Sequence, residues 1–381
     1  MRSWNPAVLC GVGIAMLAGL VIAQEQGPNR EPSTTVARPR KPDAGSTTPD
    51  TDTDQPKIPS RLSKKNAPDT TGLATFKSDV DIVTVDVAVL DNKGRFIPGI
   101  PAGNFRVSED NVPQPVKSIN PGEAPLTVAL VVEFSARFQQ FYSQTWFQTL
   151  SAAWGFMESL KPDDYVAVVA YDIRPEILTD FTTDKSKVRD AMQRMNIPAF
   201  SEANLYDALT DTADRMSGID GRKAIVVITS GIDTFSKLNY GEARKKLQES
   251  GVPVYPIGMM QALRIMAEAY GALGPIQNLD FLQADNALRT FAKETGGMAF
   301  FPRFYGEFPT IFQNIQQALR NQYVLTYEPS NKAHDGTYRK IKVELVNPAT
   351  NEPLKVTDEK GKPMKYQIIA KSGYKAPREV E

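Results

Sequence analysis

The chain has 381 residues, more than one compact domain needs, and its 44 basic residues are matched by 44 acidic ones. That balance leaves no one-sided field to draw it to nucleic acid or to an anionic membrane. A single cysteine (Cys10) and a single histidine (His334) exclude cysteine nucleophiles, Cys/His zinc sites and multi-histidine metal centres, while 41% hydrophobic content supports a real core.

Residues 1–23 are expected to form an export signal. Arg2 supplies the positive end and Ala7 to Ala23 an apolar run, and Val21-Ile22-Ala23 offers small side chains for cleavage before Gln24. The run falls short of the ~20 residues of a spanning helix, which favours cleavage over an uncleaved anchor. Cys10 lies within this signal, so a mature chain has no disulfide. Residues 24–75 are rich in Pro, Thr, Asp, Ser and Lys, punctuated by Pro42, Pro49, Pro56, Pro59 and Pro68. Such a composition cannot bury enough apolar surface to fold and predicts a disordered linker, either a stalk or a plain solvated tail.

Structure is expected from Phe76. Residues Val80 to Val89 alternate with one strongly apolar face, Asp91-Asn92-Lys93-Gly94 is a turn, and Asn104–Asn111 and Gln114–Ile119 read as two short strands. This block, 76–122, is too small to enclose a core.

Residues 123–320 then alternate between apolar strands and amphipathic helices. Strands are predicted at Thr127–Glu133, Asp164–Tyr171, Ala224–Ser230, Val254–Gly258 and Met298–Phe301, with Glu176–Phe181 as a hairpin partner of the second. Helices are predicted at Phe138–Leu160, Leu205–Met216, Gly241–Glu249, Asp285–Glu294 and Phe308–Arg320. Continuous apolar strands separated by helices imply a mostly parallel sheet covered on both faces. From 321 to 376 the period returns to two, over Asn321–Glu328, Tyr338–Val346 and Tyr366–Ser372. The two β-blocks are expected to join as one small β-sandwich with the α/β domain inserted between them.

Eight segments carry a resemblance in this order: Val83-Thr84-Val85-Asp86-Val87, Asn104-Phe105-Arg106-Val107-Ser108-Glu109-Asp110, Asn204-Leu205-Tyr206-Asp207-Ala208-Leu209, Ile228-Thr229-Ser230-Gly231-Ile232-Asp233-Thr234, Tyr255-Pro256-Ile257-Gly258, Thr295-Gly296-Gly297-Met298-Ala299-Phe300-Phe301-Pro302, Gln322 to Tyr327 and Tyr338 to Val343. The chain resembles the bacterial VWFA-related (acidobacterial-type) family of von Willebrand factor A (VWA) proteins over about residues 76–376. The resemblance implies a Rossmann-like α/β fold with a metal-ion-dependent adhesion site at the C-terminal ends of its strands. That site takes oxygens from an Asp-x-Ser-x-Ser loop, a Thr in a second loop and an Asp in a third. Here those positions hold Glu133, Ser135 and Arg137, then Ala203, then Ser230. One carboxylate and two hydroxyls beside a guanidinium suit Mg²⁺ poorly, since it demands near-ideal octahedral oxygen. No cofactor is therefore expected. Arg137 either pairs with Glu133 or Glu202 as an internal cation or points to solvent.

Two other constellations stand out. Asp163, Asp164, Asp172 and Asp233 could form a carboxylate pair for acid/base chemistry, although turn positions favour such aspartates anyway. Residues 259–284 are Met-rich and follow a strand end, where open α/β sheets present ligands. Met259, Met260, Met266, Tyr270, Ile276 and Phe281 are the expected partner-binding residues, with a helix packed on its own domain as the other reading. The function expected is a non-catalytic protein–protein interaction module, exported to the periplasm, cell envelope or extracellular space. Its partner is a protein, and the membrane is involved only through an uncleaved signal. The alternatives are a Mg²⁺-dependent adhesion module with an atypical site and a carboxylate-dependent hydrolase at the same sheet edge.

Overall fold

Val83, Val85, Val87 and Val89 point the same way along β1 (Val83–Asp91) and are all buried, so one face of this strand belongs to a core. The computed structural model describes residues 82–378, apart from 122–124, 137, 139–145, 196–199, 272–273 and 358–360. The expected signal and linker lie outside the described residues. A tight turn with Asp110 and Asn111 at positive φ joins β2 (Phe105–Glu109) to β3 (Val112–Gln114), as short polar side chains allow. β4 (Val116–Pro121) completes the N-terminal block.

The α/β domain follows with β5 (Leu126–Glu133), α1 (Trp146–Glu158), β6 (Tyr165–Tyr171) and β7 (Pro175–Thr182). Next come α2 (Lys185–Gln193), α3 (Leu205–Ser217), β8 (Arg222–Thr229), α4 (Tyr240–Ser250) and β9 (Val254–Gly258). It closes with α5 (Met260–Ala269), α6 (Pro275–Thr295) and α7 (Phe308–Arg320). The sheet runs β7-β6-β5-β8-β9, parallel except for β7. Every residue of β5, the central strand, is buried. One core packs α1, α2 and α7 on one face through Phe156, Met157, Val188, Met192, Ile311 and Ile315. The other packs α3, α4 and α6 through Leu205, Leu209, Ala243, Leu247, Leu288 and Phe291. Among the described residues no helix is long and apolar enough to cross a membrane.

The C-terminal strands are β10 (Tyr323–Tyr327), β11 (Tyr338–Leu345), β12 (Val356–Thr357), β13 (Pro363–Met364), β14 (Tyr366–Ala370) and β15 (Gly373–Lys375). They interleave with the N-terminal ones. One antiparallel sheet has the order β14-β1-β10-β4 and a second β15-β11-β2-β3, and they share a core of Val85, Val87, Phe105, Val107, Leu325, Tyr327 and Ile341. The chain changes sheet between β14 and β15. Gly373 allows this, since a Cβ there would lie 2.2 Å from the Arg339 carbonyl oxygen.

Two expected elements differ, and one helix is additional. Met298–Phe301 makes a single bridge to β9, Phe300 to Ile257, rather than a strand. Gly297 sets that approach, because a Cβ on it would meet the Val254 carbonyl oxygen at 2.0 Å. The helix expected from Asp285 begins ten residues earlier, at Pro275, a residue suited to a first helical turn. α2 was not expected from the sequence. Its start is nevertheless marked, since Asp184 accepts a hydrogen bond from Ser186 N at 2.9 Å.

Asp164 is fully buried where the sheet begins. It accepts hydrogen bonds from Leu126 N (2.9 Å) and Lys161 N (2.7 Å) and pairs with Arg320 at the end of α7. One carboxylate thus ties the first residue of β5, the turn before β6 and the last helix together. Asp164→Ala should lower unfolding free energy by about 3 kcal/mol or more, because it orphans buried donors and a cation together. Denaturant melts measure this, and a loss below about 1 kcal/mol would mean the three elements hold without the carboxylate.

Candidate functional site at the C-terminal edge of the sheet

β5 ends on Glu133, whose parallel register places Tyr171 of β6 beside it, while β8 brings Thr229 and Ser230 to the other side. The Glu133 side chain is only 2% exposed. Its Oε2 accepts from Ser230 N (2.7 Å), Ser230 Oγ (2.8 Å) and Thr229 Oγ1 (3.0 Å), with Tyr171 OH at 3.3 Å. Oε1 accepts from Ser135 Oγ at 3.0 Å. Tyr171 OH and Thr229 Oγ1 lie 2.7 Å apart and complete the network. Burial raises the Glu133 pKa, and the hydrogen bonds from Ser230, Thr229 and Ser135 pull it part of the way back. Burial and the adjacent Glu133 push the Tyr171 hydroxyl well above its usual value, so it acts as a neutral donor.

The two other loops are committed to the protein itself. The Ala203 backbone oxygen accepts from Thr234 N (2.8 Å) and Phe235 N (3.0 Å), and its N donates to Thr234 Oγ1 at 2.9 Å. Asp233 and Ser236 cap α3: Tyr206 N donates to Asp233 Oδ1 at 3.2 Å and to Ser236 Oγ at 3.1 Å.

This donor set does not fit a divalent cation. The hydroxyls of Ser135 and Ser230 both donate to Glu133 and both accept from backbone amides, Phe138 N at 3.1 Å and Ile232 N at 3.2 Å. Ala203 brings no side-chain oxygen. A metal would have to displace several buried hydrogen bonds to gain one carboxylate. Among the described residues no group of three or more His, Cys, Asp or Glu side chains is placed to hold a metal. Arg137 lies outside the described residues, and Glu133 already has a donor on each oxygen without it.

The structure joins Glu133, Ser135 and Ser230, which the sequence singled out, to Tyr171 and Thr229, which it did not. Both are polar residues ending apolar strands, a signal that gains meaning only once the sheet order is known. The aspartates considered for acid/base work divide between the two ends of the sheet, Asp163 and Asp164 before β6 and Asp172 and Asp233 after β6 and β8. Asp164 lies at the opposite end of the sheet, a full strand from Glu133, or roughly 23 Å at ~3.3 Å per residue. Asp233 is occupied as a helix cap.

Residues 259–284 form α5 and the first half of α6. Met259 and Met260 are buried in the core beside Tyr255 and Ile257, which corrects their expected place on a binding surface. They sit directly after β9, where the first turn of α5 packs back onto the sheet. Tyr270 is 82% exposed, and Phe281 is half-buried against the core. The side chains of Met266 and Ile276 lie outside the described residues. Ile265, Leu279 and Leu282 are further exposed apolar side chains of this segment.

Residues 128–232 match the family model of the von Willebrand factor type A domain. The chain contains a VWA domain. The matched span runs from β5 to just beyond β8, so it holds Glu133, Ser135, Ala203 and Ser230 but not 259–284. Similar solved structures include proximal thread matrix protein 1 from the mussel byssus, at 12% identity and a TM-score of 0.41, covering 53% of this chain and 50% of that one. Others are BatB from Bacteroides thetaiotaomicron (15% identity, 51% of this chain, 98% of that one, TM-score 0.40) and the vWF domain of the type V pili tip protein Mfa5 from Porphyromonas gingivalis (14%, 52%, 97%, 0.40). The chain thus spans about half the length of the mussel protein. No curated protein matches it.

Proposed function

We propose that the chain is an exported, non-catalytic protein–protein interaction module of the bacterial VWFA-related type, whose VWA domain engages its partner without a metal ion. The observation that carries this reading is the closed shell around Glu133: the carboxylate that a metal-dependent site would present outward is spent on Ser135, Thr229 and Ser230. Export rests on the signal-like N-terminus. The partner contacts come from the exposed apolar side chains of α5 and α6, Ile265, Tyr270, Leu279 and Leu282, which flank the same edge of the sheet.

The test is capture of the partner from a cell-envelope extract with the mature chain as bait, in EDTA and in excess Mg²⁺. Capture is expected to be equal in the two. Tyr270→Ala should weaken it by about tenfold, as hot-spot truncations do, with thermal stability almost unchanged because the ring is solvent-exposed. Binding lost in EDTA and restored by Mg²⁺ would establish the metal-dependent alternative, and turnover by the purified chain would establish the hydrolase.

A further inference from the structure

A hollow lies on the face of the sheet that carries α3, between that helix and the edge strand β7. Its volume is about 400 Å³, within the range of small-ligand pockets. The cause is a local change of side-chain size. In the parallel register of β5 and β6, Val131 stands beside Val169, but one step back along the same face Ala129 stands beside Ala167. The two alanines leave the floor short of several methyl groups. The wall is apolar as well: Ile177 on β7 is 41% exposed, and Phe181 is half-buried against the core.

The mouth is acidic. Asp211 and Asp214 project from neighbouring turns of α3, and neither has an ion-pair partner among the described residues. Arg215 does not neutralise them, because it reaches across the opening to Asp180 on β7 at 3.2 Å. Thr212 also lines the hollow, but its hydroxyl donates to the Ala208 carbonyl. The pKa of Asp211 is raised by burial and by Asp207 and Asp214, against the smaller opposing effects of Lys246 and Lys237. A cation held there would relieve that crowding.

We propose that this hollow binds an apolar cation, with an alkyl or aryl body on the alanine floor against Ile177 and Phe181 and an ammonium or guanidinium group between Asp211 and Asp214. A phenyl wall adds attraction for such a cation. The ligand is either a free amine or a Lys or Arg side chain of a partner peptide, since both present the same chemistry. The proposal is independent of the reading of Glu133, which lies four residues further along β5 at the strand end.

The test is titration of the full chain with hexylammonium, with its uncharged and anionic counterparts hexanol and hexanoate, and with an end-blocked peptide carrying one lysine between leucines. Binding is followed by calorimetry and by the NMR shift of the Ile177 methyl groups. Hexylammonium, the peptide or both should saturate, and which of them does identifies the source. Hexanol should bind at least about tenfold more weakly, the worth of one favourable charge contact, and hexanoate not measurably. Asp211→Asn with Asp214→Asn should weaken cation binding by about tenfold and leave hexanol unaffected. Ala167→Leu should fill the hollow and abolish binding. Because that change touches the core, Ile177→Ser at an exposed position serves as the second variant and should weaken cation and alcohol alike without lowering the melting temperature. The proposal is overturned if neither cation saturates, if hexanol or hexanoate binds as well as hexylammonium, or if Ile177→Ser and the double asparagine variant both bind as the wild type does.

Discussion

Glu133→Ala should cost about 3 kcal/mol or more of stability, a structural loss rather than the loss of a metal ligand. The substitution leaves Ser230 N and the hydroxyls of Ser135, Thr229 and Ser230 without their acceptor in a site closed to water. Glu133→Gln keeps one acceptor oxygen and should recover part of the loss. The comparison of wild type with Glu133→Gln also has a defined pH dependence. In the unfolded chain Glu133 titrates near its ordinary 4.5, and burial holds it higher in the fold. The folded state therefore binds this proton more readily than the unfolded one. The resulting contribution is complete below the unfolded value and is lost as pH rises through the folded value. Glutamine does not titrate, so the advantage of wild type over Glu133→Gln should shrink as pH rises from the ordinary 4.5 through the raised folded value. Chemical denaturation across that range measures it. A Glu133→Ala protein as stable as wild type, with a saturable Mg²⁺ stabilisation of wild type that it lacks, would reverse the assignment and make the carboxylate a ligand.

Much of the fold is legible in the sequence because apolar periodicity is a local property. β9 at Val254–Gly258 and α7 at Phe308–Arg320 are read with the bounds they have in the structure. Failures arise where the deciding contact is distant. α2 has only Val188, Ala191 and Met192 buried, too thin a stripe to show in a polar stretch. Pro275 stands in the first turn of α6, where a missing N–H costs nothing, ten residues before the start expected at Asp285. The site divides in the same way. Glu133, Ser135 and Ser230 can be found by position in a known loop pattern. Tyr171 and Thr229 join them only because β6 and β8 flank β5. Met259 and Met260 were misplaced because a short apolar helix after a strand shows no inward face until its packing is known.

Ending the chain at Arg320 should destroy the β-sandwich while sparing the cores of the VWA domain. The truncation removes β10, β11, β14 and β15, and with them every strand that joins the N-terminal ones into sheets. β10 bridges β1 and β4, and β14 covers the other edge of β1. Only the β2–β3 hairpin keeps a partner, and an isolated hairpin is marginal at best in water. Val85, Val87 and Val89, all fully buried, would be uncovered together, at about 1.5–3 kcal/mol for each side chain returned to water. The bare strand would also expose two unpaired backbone edges, a template for aggregation. Inside the VWA domain, by contrast, Arg320 and its pair with Asp164 remain, as do both faces of the parallel sheet. The expected result is a protein that keeps helical far-UV dichroism, binds a hydrophobic dye and elutes as aggregates. Deleting residues before Ala124 as well should restore a soluble monomer, because the exposed strands are then gone. A chain ending at Arg320 that stays monomeric, dye-free and cooperative would mean that β1 and β4 find another partner within the N-terminal block, and that the sandwich core does not depend on both ends of the chain.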